Sequence, residues 1–179
     1  MSIIRILQYP DPKLRRKGIK VTDFGEATQQ TIDNMFETHY ASTNCAALAA
    51  TQLDIPNAPH ITVIDFSEEK NQPLCLVNGV IVSRSGTQSE EEGCMSVGPS
   101  SSTFAKVIRA QKIHVKAYNR HGEEMELDAE GFMAKCIQHE LDHLDGKLFI
   151  DHLSPLKRKR LEAALKKQKR IQKSKEESS

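Results

Sequence analysis

His139-Glu140-Leu141-Asp142-His143 is the stretch from which the rest of the chain is best read. Two histidines four residues apart on a helix project from one face about one turn apart, so both imidazoles can share a divalent ion. Glu140 stands beside them, where a carboxylate can take a proton from an activated water without being a ligand itself. The helix implied around this stretch runs from Gly131 to about Leu144, places Phe132, Cys136, His139 and His143 on related turns, and stops at Asp145-Gly146.

Two ligands do not complete a catalytic site; a third protein ligand and an open position are needed. Downstream, His152 is available. Upstream, Glu92-Gly93-Cys94-Met95-Ser96 places a thiol after a glycine in a turn-like, partly polar segment, where a thiolate could reach the ion and be held deprotonated by it. A Cys94/His139/His143 set leaves one position for water.

Outward from this centre, the pattern on the N-terminal side predicts short strands. Apolar runs at Leu48-Ala49-Ala50, Ile61-Thr62-Val63-Ile64, Leu74-Cys75-Leu76-Val77, Val80-Ile81-Val82 and Ile113-His114-Val115 are separated by Asn, Pro, Gly and Ser clusters. Asn119-Arg120-His121-Gly122 lies between two alternating segments and reads as a hairpin turn whose glycine takes positive φ. Before the strands, apolar residues at Ile32, Met35, Phe36 and Tyr40 recur at helical spacing, with Asp23 as the expected cap. After the histidine helix, Ser154-Pro155 opens a last helix, Ser as cap and Pro in the first turn, ending in a Lys/Glu/Ser tail expected to fray. The expectation is an α+β fold: one compact domain of short, mostly antiparallel sheets around a central metal-binding helix. An N-terminal helix precedes the sheets, and the division is 1–153 as catalytic domain and 154–179 as an appended basic helix and tail.

The composition fits that reading. With 179 residues, 38% hydrophobic and 27% charged, the chain supports one packed core and is neither disordered nor membrane-spanning. Asp11 and Lys13 interrupt the apolar start before a secretory segment could be complete, and a soluble, cytoplasmic, monomeric protein is expected. The four cysteines, Cys45, Cys75, Cys94 and Cys136, show no short paired spacing, so ligand or buried thiols are expected in place of disulfides. A net charge of +1 gives no global argument for nucleic acid. Lys157-Arg158-Lys159-Arg160, Lys166-Lys167, Lys169-Arg170, Lys173 and Lys175 nevertheless concentrate positive charge on the last helix, where either phosphate binding or plain solvation accounts for it.

Three segments together, Leu48-Ala49-Ala50-Thr51-Gln52, Glu92-Gly93-Cys94-Met95-Ser96 and His139-Glu140-Leu141-Asp142-His143, resemble the signature segments of the peptide deformylase family, in the right order. The resemblance extends over Lys147-Leu148-Phe149-Ile150-Asp151 and Leu153-Ser154-Pro155-Leu156-Lys157. It implies hydrolysis of the N-formyl group from formyl-methionyl peptides with release of formate. It further implies metal ligation by Cys94, His139 and His143, acid/base work by Glu140, and Gln52 with the backbone amide of Met95 facing the formyl oxygen. Iron is the ion the family suggests, while Zn, Ni or Co suit the same donors. Contact of the basic helix with ribosomal RNA is a further implication.

The first segment departs from the family pattern G-x-G-L-A-A-x-Q, because Cys45-Ala46-Ala47 stands before Leu48 and both glycines are replaced. Cβ atoms there narrow the groove or shift a backbone hydrogen bond. Ala46 and Glu90 occupy positions where many members place an apolar wall, with Phe132 and Cys136 as candidates to line a pocket. Cys45 reads as a small buried residue and not as a fourth ligand. A metallopeptidase or amidase with another acyl substrate is the competing enzyme reading. A degenerate protein that kept only the fold would show a lost ligand or base, and none is lost. Glu92 and Arg109 are expected to pair beside the ligand turn. His39, His60, His114 and His121 have no companion ligands nearby and are read as non-functional.

Overall fold

Apolar positions with a period of two, punctuated by turns, build the central sheet of the computed structural model, which describes residues 2–98 and 103–177. The strands are β1 (Ala47–Ala49), β2 (Ile61–Ile64), β3 (Leu74–Ser85), β4 (Gln88–Glu92), β5 (Ala105–Arg109), β6 (Lys112–Tyr118) and β7 (Glu124–Glu130). Among the described residues they form a five-stranded sheet in the order β1-β2-β3-β6-β7 and a ribbon of β4 with β5, antiparallel throughout. The helices are α1 (Glu26–Ala41), α2 (Gly131–Leu144) and α3 (Pro155–Glu176).

The pleat divides side chains between two layers. Ala47, Ala49, Ile64, Leu76, Val115 and Ala129 pack on one face against Ala134, Ile137, Leu141 and Leu144 of α2. Leu48, Ile61, Val63 and Val77 pack on the other against Ile32 and Met35 of α1. β2 is buried along its whole length, which is why it reads as a nearly continuous apolar run, with the Thr62 hydroxyl satisfied by the Leu48 carbonyl. Ile137 and Leu144 are at most 1% exposed, and each such side chain contributes about 1.5–3 kcal/mol of burial. That packing fixes α2, and with it the histidines, against the sheet.

A third apolar cluster lies under the ligand turn. Leu7, Leu14, Val97, Val107, Leu148, Phe149 and Ile150 join Cys94 there, together with Leu161 and Leu165 from the first half of α3. Ser154 caps α3 through its hydroxyl, which accepts from the Lys157 amide, and Pro155 opens the helix. The helix continues through Glu176, so most of the stretch expected to fray is helical; Ser178 and Ser179 lie outside the described residues.

Two further expectations are corrected. Asp23 does not cap α1: the helix starts at Glu26 behind Gly25, and the Asp23 carboxylate instead accepts from the Gly25 amide at 2.8 Å. Leu74–Val77 and Val80–Val82 belong to one long strand, β3, whose register shifts twice along β6, so the intervening Asn78-Gly79 is an irregularity and not a break. The hairpin joining β6 and β7 is as expected, with Gly122 at φ +82°. No helix among the described residues is long and apolar enough to cross a membrane.

Candidate metal centre

Helical spacing brings His139 and His143 together with their rings 4.9 Å apart between centroids and their Nε2 atoms 3.2 Å apart. Cys94 Sγ lies 3.3 Å from His143 Nε2, and the three donor atoms all fall within 4.8 Å of one another. A four-coordinate ion with bonds of about 2.0–2.3 Å holds its donors roughly 3.3–3.7 Å apart, so this set fits a divalent cation with one position left over. The other end of His139 is fixed as a ligating imidazole needs: its Nδ1 meets Glu92 Oε2 at 2.9 Å, which turns Nε2 toward Cys94 and His143. His143 Nδ1 is buried with no hydrogen-bond partner among the described residues.

The Cys94 turn is made by close approach. β4 ends at Glu92, and a Cβ on Gly93 would sit 2.0 Å from the Phe104 ring, so a larger residue there would have to displace that ring. The turn then closes with the Val97 amide donating to the Cys94 carbonyl at 2.9 Å, and the Ser96 amide points at Cys94 Sγ at 3.4 Å. Met95 is half-buried in the turn, its carbonyl accepting from Gln8 Nε2 at 2.8 Å.

Gln52 reaches the same turn from the opposite side. After β1 the chain makes a 3-10 turn over Ala50–Gln52, and the buried Gln52 side chain accepts from the Ala49 amide and donates toward Ser96 Oγ and Cys94 Sγ. Thr51, also buried, donates its hydroxyl to the His143 carbonyl at 2.8 Å, tying this turn to α2. The N-terminal segment laces both turns: Leu7 donates to the Gln52 carbonyl and Tyr9 to that of Ser96, both at 2.7 Å.

Behind His139 the expected pair is present and larger than expected. Arg109 holds Glu92 with two bonds, 2.7 and 3.0 Å, with both side chains at most 4% exposed, and reaches Asp142 at 2.6 Å. Burial alone would raise the Glu92 carboxyl, but hydrogen bonds from His139 and Arg109 overcome it and hold it at about 2. His152, the downstream ligand candidate, instead contacts Asp142 at 2.8 Å and takes no part in the donor set.

Glu140 is 4% exposed, and its Oε2 has no hydrogen-bond partner among the described residues. Burial raises its carboxyl to about 7, a poise suited to exchanging a proton near neutrality. Burial first, and then the charge of His139, lower the His143 imidazole well below its ordinary value.

The lip of the site is less tightly held. Cys45 is half-buried, its Sγ donating to the Ala47 carbonyl at 3.3 Å, and burial followed by the Glu140 charge pushes its thiol up to about 12; the same two causes do so for Cys136. Phe132 is 48% exposed and meets Phe66 edge-on at 4.8 Å, while Glu90 is exposed on β4. Of the other histidines, His39 bonds the Asp65 carbonyl and His114 stands between Asp128 and Glu126. Thr51, Ser96, Gln8 and Asp142 belong to the site region and escape a reading by spacing, because their partners lie far away in sequence.

The polypeptide deformylase family profile matches residues 3–159. The chain is similar to peptide deformylase 1 of Coxiella burnetii (strain RSA 493 / Nine Mile phase I), 61% identical over 168 residues that cover 94% of this chain and 98% of the relative. Among solved structures it is similar to a peptide deformylase from Legionella pneumophila, with 42% identity, a TM-score of 0.87, and coverage of 95% of this chain and 97% of that one. It is also similar to the peptide deformylase from Ehrlichia chaffeensis in complex with actinonin, at 33% identity and a TM-score of 0.83 over 93% of this chain and 98% of that one.

Proposed function

The chain belongs to the polypeptide deformylase family, and from that premise we propose that Cys94, His139 and His143 hold its divalent metal, Glu140 is the acid/base, and Gln52 with the Met95 amide receives the formyl oxygen. The activity is removal of the formyl group from formyl-Met peptides by metal-dependent hydrolysis, releasing formate. The observation that carries the residue assignment is the convergence of Cys94, His139 and His143 within 4.8 Å beside a buried Glu140 whose Oε2 meets no hydrogen-bond partner among the described residues.

When bound there, the divalent ion supplies Lewis acidity and an activated water. The chain's own groups do the rest. Glu140, with its carboxyl at about 7, accepts the proton of the attacking water and returns it to the departing amine. The Gln52 Nε2 and Met95 N–H donors stabilise charge on the formyl oxygen, the role of an oxyanion hole. Glu92 holds His139 by its Nδ1, so that the ligand face of the imidazole stays turned inward. Iron(II) is the proposed native ion, and Zn, Ni or Co suit the same mixed donors.

Formate release from a formyl-Met peptide by anaerobically prepared iron(II) or nickel(II) protein, set against Glu140→Ala, is the test. The variant is expected to retain metal and lose roughly 10²–10⁴-fold in kcat. Equal rates would refute the assignment of Glu140. Cys94→Ala is expected to lose metal, and unchanged metal content in it would refute the ligand assignment.

The basic half of α3 supports a second element of this reading. Leu161 and Leu165 seat the first half on the core, whereas Lys166, Lys167, Lys169, Arg170 and Lys173 are exposed to solvent. Contact with ribosomal RNA near emerging chains, by a monomer acting in the cytoplasm, accords with such a charged surface. Salt-dependent co-sedimentation with ribosomes that persists after Lys166, Lys167, Lys169 and Arg170 are replaced by Glu would contradict it.

A further inference from the structure

We infer that Ser96 is a positioning residue that fixes the plane of the Gln52 side-chain amide, leaving one particular hydrogen of that amide for the substrate. The inference rests on the reading of Gln52 given above. The buried Gln52 amide has little choice of orientation. The Ala49 backbone N–H can only donate, so the atom it meets at 2.9 Å is Oε1, and the NH2 group is thereby turned toward the Cys94 turn.

The two hydrogens of that NH2 meet unequal acceptors. Ser96 Oγ, fully buried, stands at 3.2 Å, whereas Cys94 Sγ stands at 3.6 Å and is a softer, longer acceptor. An incoming carbonyl oxygen can therefore take the hydrogen aimed at sulfur while the bond to Ser96 remains. With Oε1 held by Ala49 and one hydrogen held by Ser96, the amide cannot swing, and the second hydrogen is presented in a fixed direction. Ser96 is itself held, its carbonyl accepting from Tyr9 at 2.7 Å, so the pin has a rigid base.

The test compares Ser96→Ala with Ser96→Thr, which keeps the hydroxyl. In zinc-loaded protein, NMR of the Gln52 side-chain amide, assigned through Gln52→Ala, is expected to show hydrogen exchange about tenfold faster in Ser96→Ala and close to the parent rate in Ser96→Thr. In nickel-loaded protein, Ser96→Ala is expected to lower kcat about tenfold with KM and metal content little changed, and to have no further effect in the Gln52→Ala background. An unchanged Gln52 amide in Ser96→Ala overturns the inference, as does an equal loss of kcat in both backgrounds, which marks a merely structural role. If Ser96→Ala frees the amide while Gln52→Ala leaves kcat intact, the pin is upheld and the oxyanion role of Gln52 falls.

Discussion

The donor set and the lip of the same site are built on opposite principles. Around the donors nearly every polar atom is committed: Glu92 to His139 and Arg109, Arg109 to Asp142, Gln52 to Ala49 and Ser96, Thr51 to the His143 carbonyl. At the lip, Phe132 and Phe66 are 48% and 45% exposed, Glu90 faces solvent, and Cys45 holds only a carbonyl two residues away. The difference teaches where sequence can drift. A network that is buried and largely partnered transmits change to the ion, whereas an exposed rim absorbs change into substrate preference.

Breaking the buried side should cost most. Arg109→Ala leaves Glu92 and Asp142 without their cation and is expected to destabilise the fold by about 3–5 kcal/mol. Urea denaturation would show it, and a loss of under about 1 kcal/mol would mean that the network is not tight. Glu92→Gln is milder, since the shape stays while the charged acceptor behind His139 is removed. A 10–100-fold fall in metal affinity, roughly the range for such outer partners, is expected in a competition titration. Unchanged affinity would detach Glu92 from the centre.

On the lip, Cys45→Gly should leave metal affinity and stability nearly untouched and alter the ratio of kcat/KM for formyl-Met over formyl-Leu peptides by about two- to tenfold. If metal content fell instead, lip and donor set would not be separable. The smallest effect concerns the far edge of the sheet. Hydrogen bonds to Asp128 and Glu126 raise the half-buried His114 imidazole above its ordinary value. Its contribution to stability is thus complete below the unfolded value and disappears as pH rises through the raised one. The gap in denaturation midpoint between the parent and His114→Gln should therefore be wider at about pH 6 than at about pH 9. Equal gaps would remove His114 from the sheet's electrostatics.

What could be read from the chain follows the range of each interaction. α2 spans the residues that spacing predicts, because its register depends on local periodicity and its stop on Asp145-Gly146. Cys94 sits with the histidines and His152 does not, in keeping with the segment order that the family resemblance supplies. By contrast the β4/β5 ribbon is hard to see in Gln88–Glu92, a stretch of polar and acidic residues whose burial is confined to Glu92. The Thr51 bond to the His143 carbonyl and the reach of Arg109 to Asp142 span 92 and 33 residues, and no local pattern announces either. Asp23 departs from the capping pattern for a local reason: its carboxylate accepts from the amide of Gly25, the residue that itself stands at the cap.

The strand-like lacing by Leu7 and Tyr9 has a consequence for how the molecule comes into being. Their amides close the chain onto Gln52 and Ser96, so neither turn can be fixed until contacts of long sequence separation exist. The ligand pair on α2 forms locally, yet the thiol must wait for the whole topology. Metal uptake is then a late event in folding, a reporter of completion in contrast to metals that nucleate small domains. A cobalt–thiolate absorption band that rose ahead of the far-ultraviolet signal of the sheet during refolding would reverse that order.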